Sequence, residues 1–250
     1  MAVPVRVATY NLHGLRDDVA ALARVIAGLR ADVLCVQEAL RFGRWRARRA
    51  ALAARAGLAV ATHGRVGGVA VLTGPRVRVL HAEHHALRAF RGLERRALAV
   101  AVVEPVRHQG GGGGGDAAVR SEGGGARLAV GSFHLDLDQA ARTYHAAEIT
   151  AIMEDVAARH GASVVLGGDV NEQDHQPAWR HLAARLADCH AEAPAGGGPT
   201  FPAHGPHLRI DAVFAARDTP VVSCAVPATG SDAVRASDHF PVVAELRVGH

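Results

Sequence analysis

The chain has 250 residues, 49% of them hydrophobic, enough for one large core of the α/β or β-sandwich kind. Three scattered cysteines exclude a disulfide framework and fit a reducing, cytoplasmic setting, and no apolar run approaches the roughly 18 residues of a membrane span. A net charge of +4 and a pI near 9.6 suit a polyanionic partner, but lysine is absent and Arg, Ala and Gly abound, so compositional bias accounts for the balance as well as nucleic-acid binding does.

Residues 3–10 alternate as a strand does, so MAVPVRVATY reads as part of the fold and not as a secretory leader. DDVAALARVIAGLRA (17–31) has helical apolar spacing after an acidic start. DVLCVQE (32–38) is a short buried-strand run with a free thiol, Cys35, inside it. Residues 44–57 read as helix, and 67–74, 76–83 and 95–105 as strands. The low-complexity stretch QGGGGGGDAAVRSEGGGA (109–126) then falls between strand-like runs. It reads as an expanded, flexible hairpin loop within one domain, 1–250, because closure entropy grows slowly with length. A strand (127–137), a long helix (138–160), a strand (162–171) and a helix (177–187) follow. Strands at 208–216, 220–228 and 240–248 close the chain. Many strands, with helices in two separated groups, predict two sheets packed face to face with helices outside.

Apolar runs meet polar residues repeatedly in the same manner. TYNLHG places Asn11 at a strand end, and CVQE places Gln37 and Glu38. SFHLD gives His134 and Asp136, GGDVN gives Asp169 and Asn171, and SDHFPV gives Asp238 and His239. RIDAVF puts Asp211 in an otherwise apolar run, where a buried carboxylate needs a partner. Singly, each is an ordinary turn, cap or solvated residue. Jointly, they form the donor set of a hard-cation site beside an anion site. HAEHHA (81–86) reads as a solvated edge, since histidines on a strand point to different faces, and HGPH (204–207) as loop. Trp45, Trp179 and Tyr144 are too scattered for a base-stacking platform.

In this order, ATYNLHG, DVLCVQE, GGVAVLT, ERRALAV, GSFHLDL, VVLGGDVN, RIDAVF and ASDHFPVVAEL resemble the endonuclease/exonuclease/phosphatase (DNase I-like) superfamily over nearly the whole chain. The resemblance implies a four-layer α/β sandwich of two mainly antiparallel sheets, with the active site where the sheets open. It implies metal-assisted hydrolysis of a phosphate ester by in-line attack of water. Glu38 is then the principal ligand of Mg²⁺ or Mn²⁺, with Asn11 beside it and Asp238 completing the cation side directly or through water. Asp169 orients or deprotonates the water, Asn171 holds a phosphate oxygen, His134 donates to the phosphate, and His239 pairs with Asp211. Asp136 supports the site from behind, Arg142 is structural or phosphate-facing, Arg95 makes a structural ion pair, and Thr200 matches a loop threonine of the family.

Family substrates range over nucleic acids, abasic sites, phospholipid head groups, inositol phosphates and nucleotides. A nuclease is the first expectation, and a phosphatase or a phospholipid or inositol-phosphate phosphodiesterase the next. A catalytically silent phospholigand-binding module is the alternative of another class, disfavoured by the complete set of site residues. A histidine-rich two-metal hydrolase is a third, for which GGDVN lacks nearby histidines. Nothing in the sequence sets an oligomeric state.

Overall fold

In a computed structural model, which describes residues 2–106, 125–227 and 230–249, the chain begins β1 (Val3–Asn11), α1 (Val19–Leu29), β2 (Val33–Gln37), α2 (Trp45–Arg55), β3 (Ala59–Val60) and β4 (Ala70–Thr73). It continues through β5 (Val77–Ala86), β6 (Ala97–Pro105), β7 (Arg127–His134), α3 (Gln139–His160), β8 (Ala162–Asp169) and α4 (Pro177–Arg185). It ends with β9 (Ala187–Asp188), α5 (Cys189–Glu192), β10 (Asp211–Ala215), β11 (Val221–Ala225), α6 (Gly230–Ala236) and β12 (Val242–Val248). All but Gly125 and Ala126 of the predicted Gly-rich loop lie outside the described residues.

Two six-stranded sheets form, in the orders β11-β12-β1-β2-β4-β3 and β5-β6-β7-β8-β10-β9. Each holds one parallel pair, β1 with β2 and β7 with β8, among antiparallel neighbours. Each parallel pair is joined by a helix, α1 or α3, because parallel strands need a crossover. Aspartates start both helices: Asp18 accepts from the Ala20 and Ala21 amides, and Asp138 from the Ala141 amide.

Period-two alternation divides the core into layers. Val5, Val7, Val33, Cys35, Val130, Val165, Val213 and Leu246 pack between the sheets. Leu22, Ile26, Leu34 and Leu72 join the first sheet to its helices, and Phe133, Ile149, Met153, Leu166 and Trp179 join the second to its own. This is the four-layer sandwich that the sequence predicts. The elements missing from the sequence reading are short: β3, β9, α5 and α6 span two to seven residues each.

The glycines of GGD lie inside β8 and not in a turn. Gly167 faces the other sheet, where an added Cβ would sit 3.0 Å from both Cβ and Sγ of Cys35 and 3.2 Å from Cβ of Thr9. Without a side chain there, the sheets approach closely just below the rim that carries the polar residues.

Candidate active site

The inward-facing series in four strands ends on polar side chains. β1 runs Val5, Val7, Thr9, Asn11, and β2 runs Val33, Cys35, Gln37. β7 runs Leu128, Val130, Ser132, His134, and β8 runs Val165, Gly167, Asp169. Thr9, Gln37 and Ser132 form a buried polar floor. Thr9 Oγ1 donates to Gln37 Oε1 at 3.2 Å, Gln37 Nε2 to Ser132 Oγ at 3.2 Å, and Ser132 Oγ to the Val36 carbonyl at 3.0 Å. This chain ties the two sheets together beneath the site. Sequence reasoning noted Gln37 and gave it no part.

Asp169 is the hub. Its Oδ2 accepts from Asn11 Nδ2 at 3.0 Å and lies 3.5 Å from His134 Nε2 and 3.8 Å from His239 Nε2. Its Oδ1 accepts from the Asn171 amide at 2.9 Å, while Asn171 Nδ2 donates to the Leu135 carbonyl. Asp211 is the first residue of β10, directly opposite Asp169, and its Oδ2 lies 2.8 Å from His239 Nδ1. Asp211 Oδ1 is buried without a hydrogen-bond partner among the described residues. Asp169, Asp211 and His239 bring one possible ligand atom each to within 4.8 Å of one another. Phe201 packs its ring 4.8 Å from that of His239, and buried Thr200 accepts from the Ile210 amide and ties this loop to Phe240.

Burial, reinforced by the Asp211 charge, raises the Asp169 carboxyl above its ordinary range. Burial pushes the His134 imidazole down to about 4, although Asp169 opposes the shift. Burial alone would depress His239 too, but the charge and hydrogen bond of Asp211, with Asp169 and Asp238 behind, raise it to about 10. The two imidazoles facing Asp169 are thus shifted in opposite directions.

Glu38 follows β2 at a left-handed φ of 49°, a strained conformation for a non-glycine residue. It is half-buried, lies 3.5 Å from Asn11 Nδ2, and has no ion pair among the described residues. Asp238, also half-buried, lies 3.7 Å from His13 Nε2 and 3.4 Å from Ser237 Oγ. His13 is a site residue that sequence reasoning missed: it sits at φ 45°, its amide donates to Asn11 Oδ1 at 3.0 Å, and its Nδ1 lies 2.6 Å from Asp17. Its only sequence signal is its place in TYNLHG. Asn11 therefore turns its nitrogen toward Glu38 and Asp169. A half-buried carboxylate with no counter-cation, a second carboxylate nearby and an orphaned buried oxygen fit a hard divalent ion.

The adjoining cleft, about 520 Å³, is lined by Arg16, Glu38, Arg41, Phe42, Arg96 and His134 among others. The ion pair expected at Arg95 belongs to its neighbour. Arg95 is exposed, whereas buried Arg96 meets Asp136 at 3.2 Å and Glu94 at 3.7 Å. Asp136 therefore stands behind Arg96 and not in the cleft. Buried Arg142 donates to Glu172 Oε1 at 2.7 Å and to the Asp136 and Leu137 carbonyls. Glu172 in turn accepts from the Ala178 and Trp179 amides at the start of α4.

The model of the Endonuclease/Exonuclease/phosphatase family matches residues 8–239. A search of curated proteins finds no match. Among solved structures, an endonuclease/exonuclease/phosphatase from Bacteroides vulgatus aligns with a TM-score of 0.77 at 19% identity, covering 98% of this chain and 99% of that one. A mannosyl-6-phosphatase from Bacteroides thetaiotaomicron aligns with a TM-score of 0.76 at 16% identity, covering 97% and 99%. The human Nocturnin catalytic domain aligns with a TM-score of 0.69 at 13% identity, covering 99% and 96%. At these identities the likeness to solved structures shows the fold.

Proposed function

This chain belongs to the endonuclease/exonuclease/phosphatase family of metal-dependent phosphoric ester hydrolases, and from that premise we propose that it is a Mg²⁺- or Mn²⁺-dependent nuclease. The observation that carries the reading is the convergence of Asn11, His134, Asp211 and His239, from four separated segments, on Asp169, with Glu38, which has no ion pair among the described residues, held at the same Asn11 amide. Glu38 and Asp238 would hold the cation, and Asn11 fixes the Glu38 and Asp169 carboxylates. A divalent cation held there would supply charge neutralisation at the scissile phosphate. Asp169 orients the attacking water from the floor, and His134 and Asn171 donate to phosphate oxygens as charge builds. Asp211 anchors His239 through Nδ1, leaving Nε2 aimed into the site.

A polyanionic, base-bearing substrate is favoured by the rim. Arg16 and Phe42 are exposed there, and the Arg41 guanidinium stands 5.7 Å over the Phe42 ring. Positive charge can track a phosphate backbone while the free ring face stacks a base. A second reading, a phosphatase of small phosphomonoesters, is favoured by the cleft of about 520 Å³, the size of a sugar- or nucleotide-binding pocket.

The test is hydrolysis with Mg²⁺, Mn²⁺ or EDTA of single-stranded and duplex DNA, RNA, bis-p-nitrophenyl phosphate, sugar phosphates, inositol phosphates and sphingomyelin. Metal-dependent cleavage of nucleic acid, lost in Glu38→Ala and His239→Ala, is expected. Activity unchanged in both variants would overturn the assignment of the site. Turnover of sugar phosphates alone would favour the second reading.

A further inference from the structure

Strand alternation sorts the side chains of HAEHHA onto two faces. His84 turns inward, and His81, Glu83 and His85 share one face. A register shift between Val79 and His81 sets them opposite Val102, Val100 and Leu98, all of which belong to the core under α3. α3 delivers a further imidazole at its last residue, His160, whose ring stacks on that of His81 at 4.6 Å. His81 Nε2 and His85 Nε2 each lie 2.7 Å from one oxygen of Glu83. One possible ligand atom from each of His81, Glu83 and His160 falls within 4.8 Å of the others. His160 Nε2 is buried and has no hydrogen-bond partner among the described residues.

We propose that His81, Glu83 and His160 form a second metal site, for a borderline transition ion such as Zn²⁺, that clips the edge strand β5 to the end of α3. Two imidazoles and a carboxylate, with water in a fourth position, are a donor set zinc accepts and Mg²⁺ does not prefer. His85 holds the second Glu83 oxygen and so orients the ligating carboxylate from outside the coordination shell. Arg159 occupies Glu83 Oε1 at 2.8 Å, but its side chain is 44% exposed and also pairs with Asp155. It leaves by swinging outward with that partner. The cluster is remote from the hydrolytic site: α3 has 22 residues, about 33 Å at 1.5 Å per residue, and only its first turn adjoins Asp136.

The full chain, stripped with chelator and dialysed into excess Mg²⁺ to fill the oxygen-rich site, is titrated with Zn²⁺ by calorimetry, and with Co²⁺ by visible absorption. His81→Ala, His160→Ala and Glu83→Gln are compared with wild type, and His207→Ala, an exposed loop histidine outside the cluster, is the control. The expected result is one Zn²⁺ per chain that weakens about tenfold or more in each cluster variant and persists in His207→Ala. The Co²⁺ spectrum disappears with it, and Mg²⁺-supported hydrolysis stays at the wild-type level in His160→Ala. Equal zinc stoichiometry and affinity in wild type and all three cluster variants overturns the proposal.

Discussion

Gly167→Ala tests whether the close approach of the sheets sets the site. The new methyl would lie 3.0 Å from Cys35 Cβ and Sγ and 3.2 Å from Thr9 Cβ. Carbon atoms are comfortable at roughly 3.5–4.0 Å, so β8 must retreat from β1 and β2 by about 0.5–1 Å. Overpacking of this kind costs about 1–3 kcal/mol, or about 2–12 °C of Tm for a chain of this size. The retreat occurs two residues below Asp169, whose 3.0 Å bond to Asn11 crosses the same gap. Misplacement by about 1 Å can cost about a hundredfold in rate, so kcat for bis-p-nitrophenyl phosphate should fall about ten- to a hundredfold. The assay is run well below the lowered Tm, where the folded fraction is near unity and rate reports geometry. Gly28→Ala is the control. Gly28 is exposed within α1 with nothing within 4 Å of an added Cβ, and the exchange should stabilise by about 0.5–1 kcal/mol with kcat unchanged. A Gly167→Ala protein with wild-type Tm and kcat would refute the argument.

Arg142→Ala should destabilise by about 3–5 kcal/mol in urea melts, because it strands the Glu172 carboxylate, fully buried opposite a guanidinium only 7% exposed. A rise in KM with unchanged stability would instead place Arg142 at the phosphate. Phe42, 76% exposed at the cleft rim, should contribute about 1–3 kcal/mol to binding through base stacking. Phe42→Ala should therefore raise KM for an oligonucleotide about tenfold and leave bis-p-nitrophenyl phosphate kinetics alone; parallel changes for both substrates would refute stacking. Burial pushes the Cys35 and Cys224 thiols up to about 12 and raises Cys189 as well. The folded pKa exceeds the ordinary value of 9.0, so this stabilisation is intact below pH 9 and is lost as pH rises toward 12, by about 1.4 kcal/mol per pH unit per thiol. Urea midpoints should fall from pH 9 to pH 10.5, and native protein at pH 8 should resist thiol alkylation; labelling of all three cysteines at pH 8 would contradict the burial.

What the sequence shows and what it hides divide along physical lines. Long periodic segments such as α1, α3 and β6 are legible because burial on one face imposes a period. The candidate site was expected because polar residues stand at the ends of apolar runs or, for Asp211, Asp238 and His239, at their starts. The functions of Gln37 and Gly167 were not, since a buried amide bridging two sheets and a glycine at an inter-sheet contact become visible only when strands from distant segments face each other. His13 and Glu38 owe their directions to left-handed backbone that no propensity predicts. Arg96, one residue before β6, escaped because alternation fixes side-chain direction only within a strand. HAEHHA lies on the edge strand β5 with its histidines on two faces, as expected; the face that carries His81, Glu83 and His85 is set by the register shift after Val79, and their neighbour His160 lies far along the chain.

The six polar segments look alike in sequence yet reach the rim by two opposite routes, and strand polarity decides which. Asn11, Glu38, His134 and Asp169 stand at or just beyond the carboxyl ends of β1, β2, β7 and β8, and parallel pairing brings both ends of each pair to one edge. Asp211 and the Asp238–His239 pair instead start or precede β10 and β12. These strands run antiparallel to β8 and β1, so their beginnings meet the others' ends, with Asp211 opposite Asp169 and Val242 opposite Thr9. Reversing either closing strand would carry its acid and imidazole to the far edge of the sheet, several strand residues away at about 3.3 Å each. Asp211 and His239 arrive on different sheets and still close to 2.8 Å. The buried pair therefore fixes the opening between the sheets from one side as the Thr9–Gln37–Ser132 floor fixes it from below. The chain needs both helix crossovers and both antiparallel returns before any one of its polar motifs has a partner.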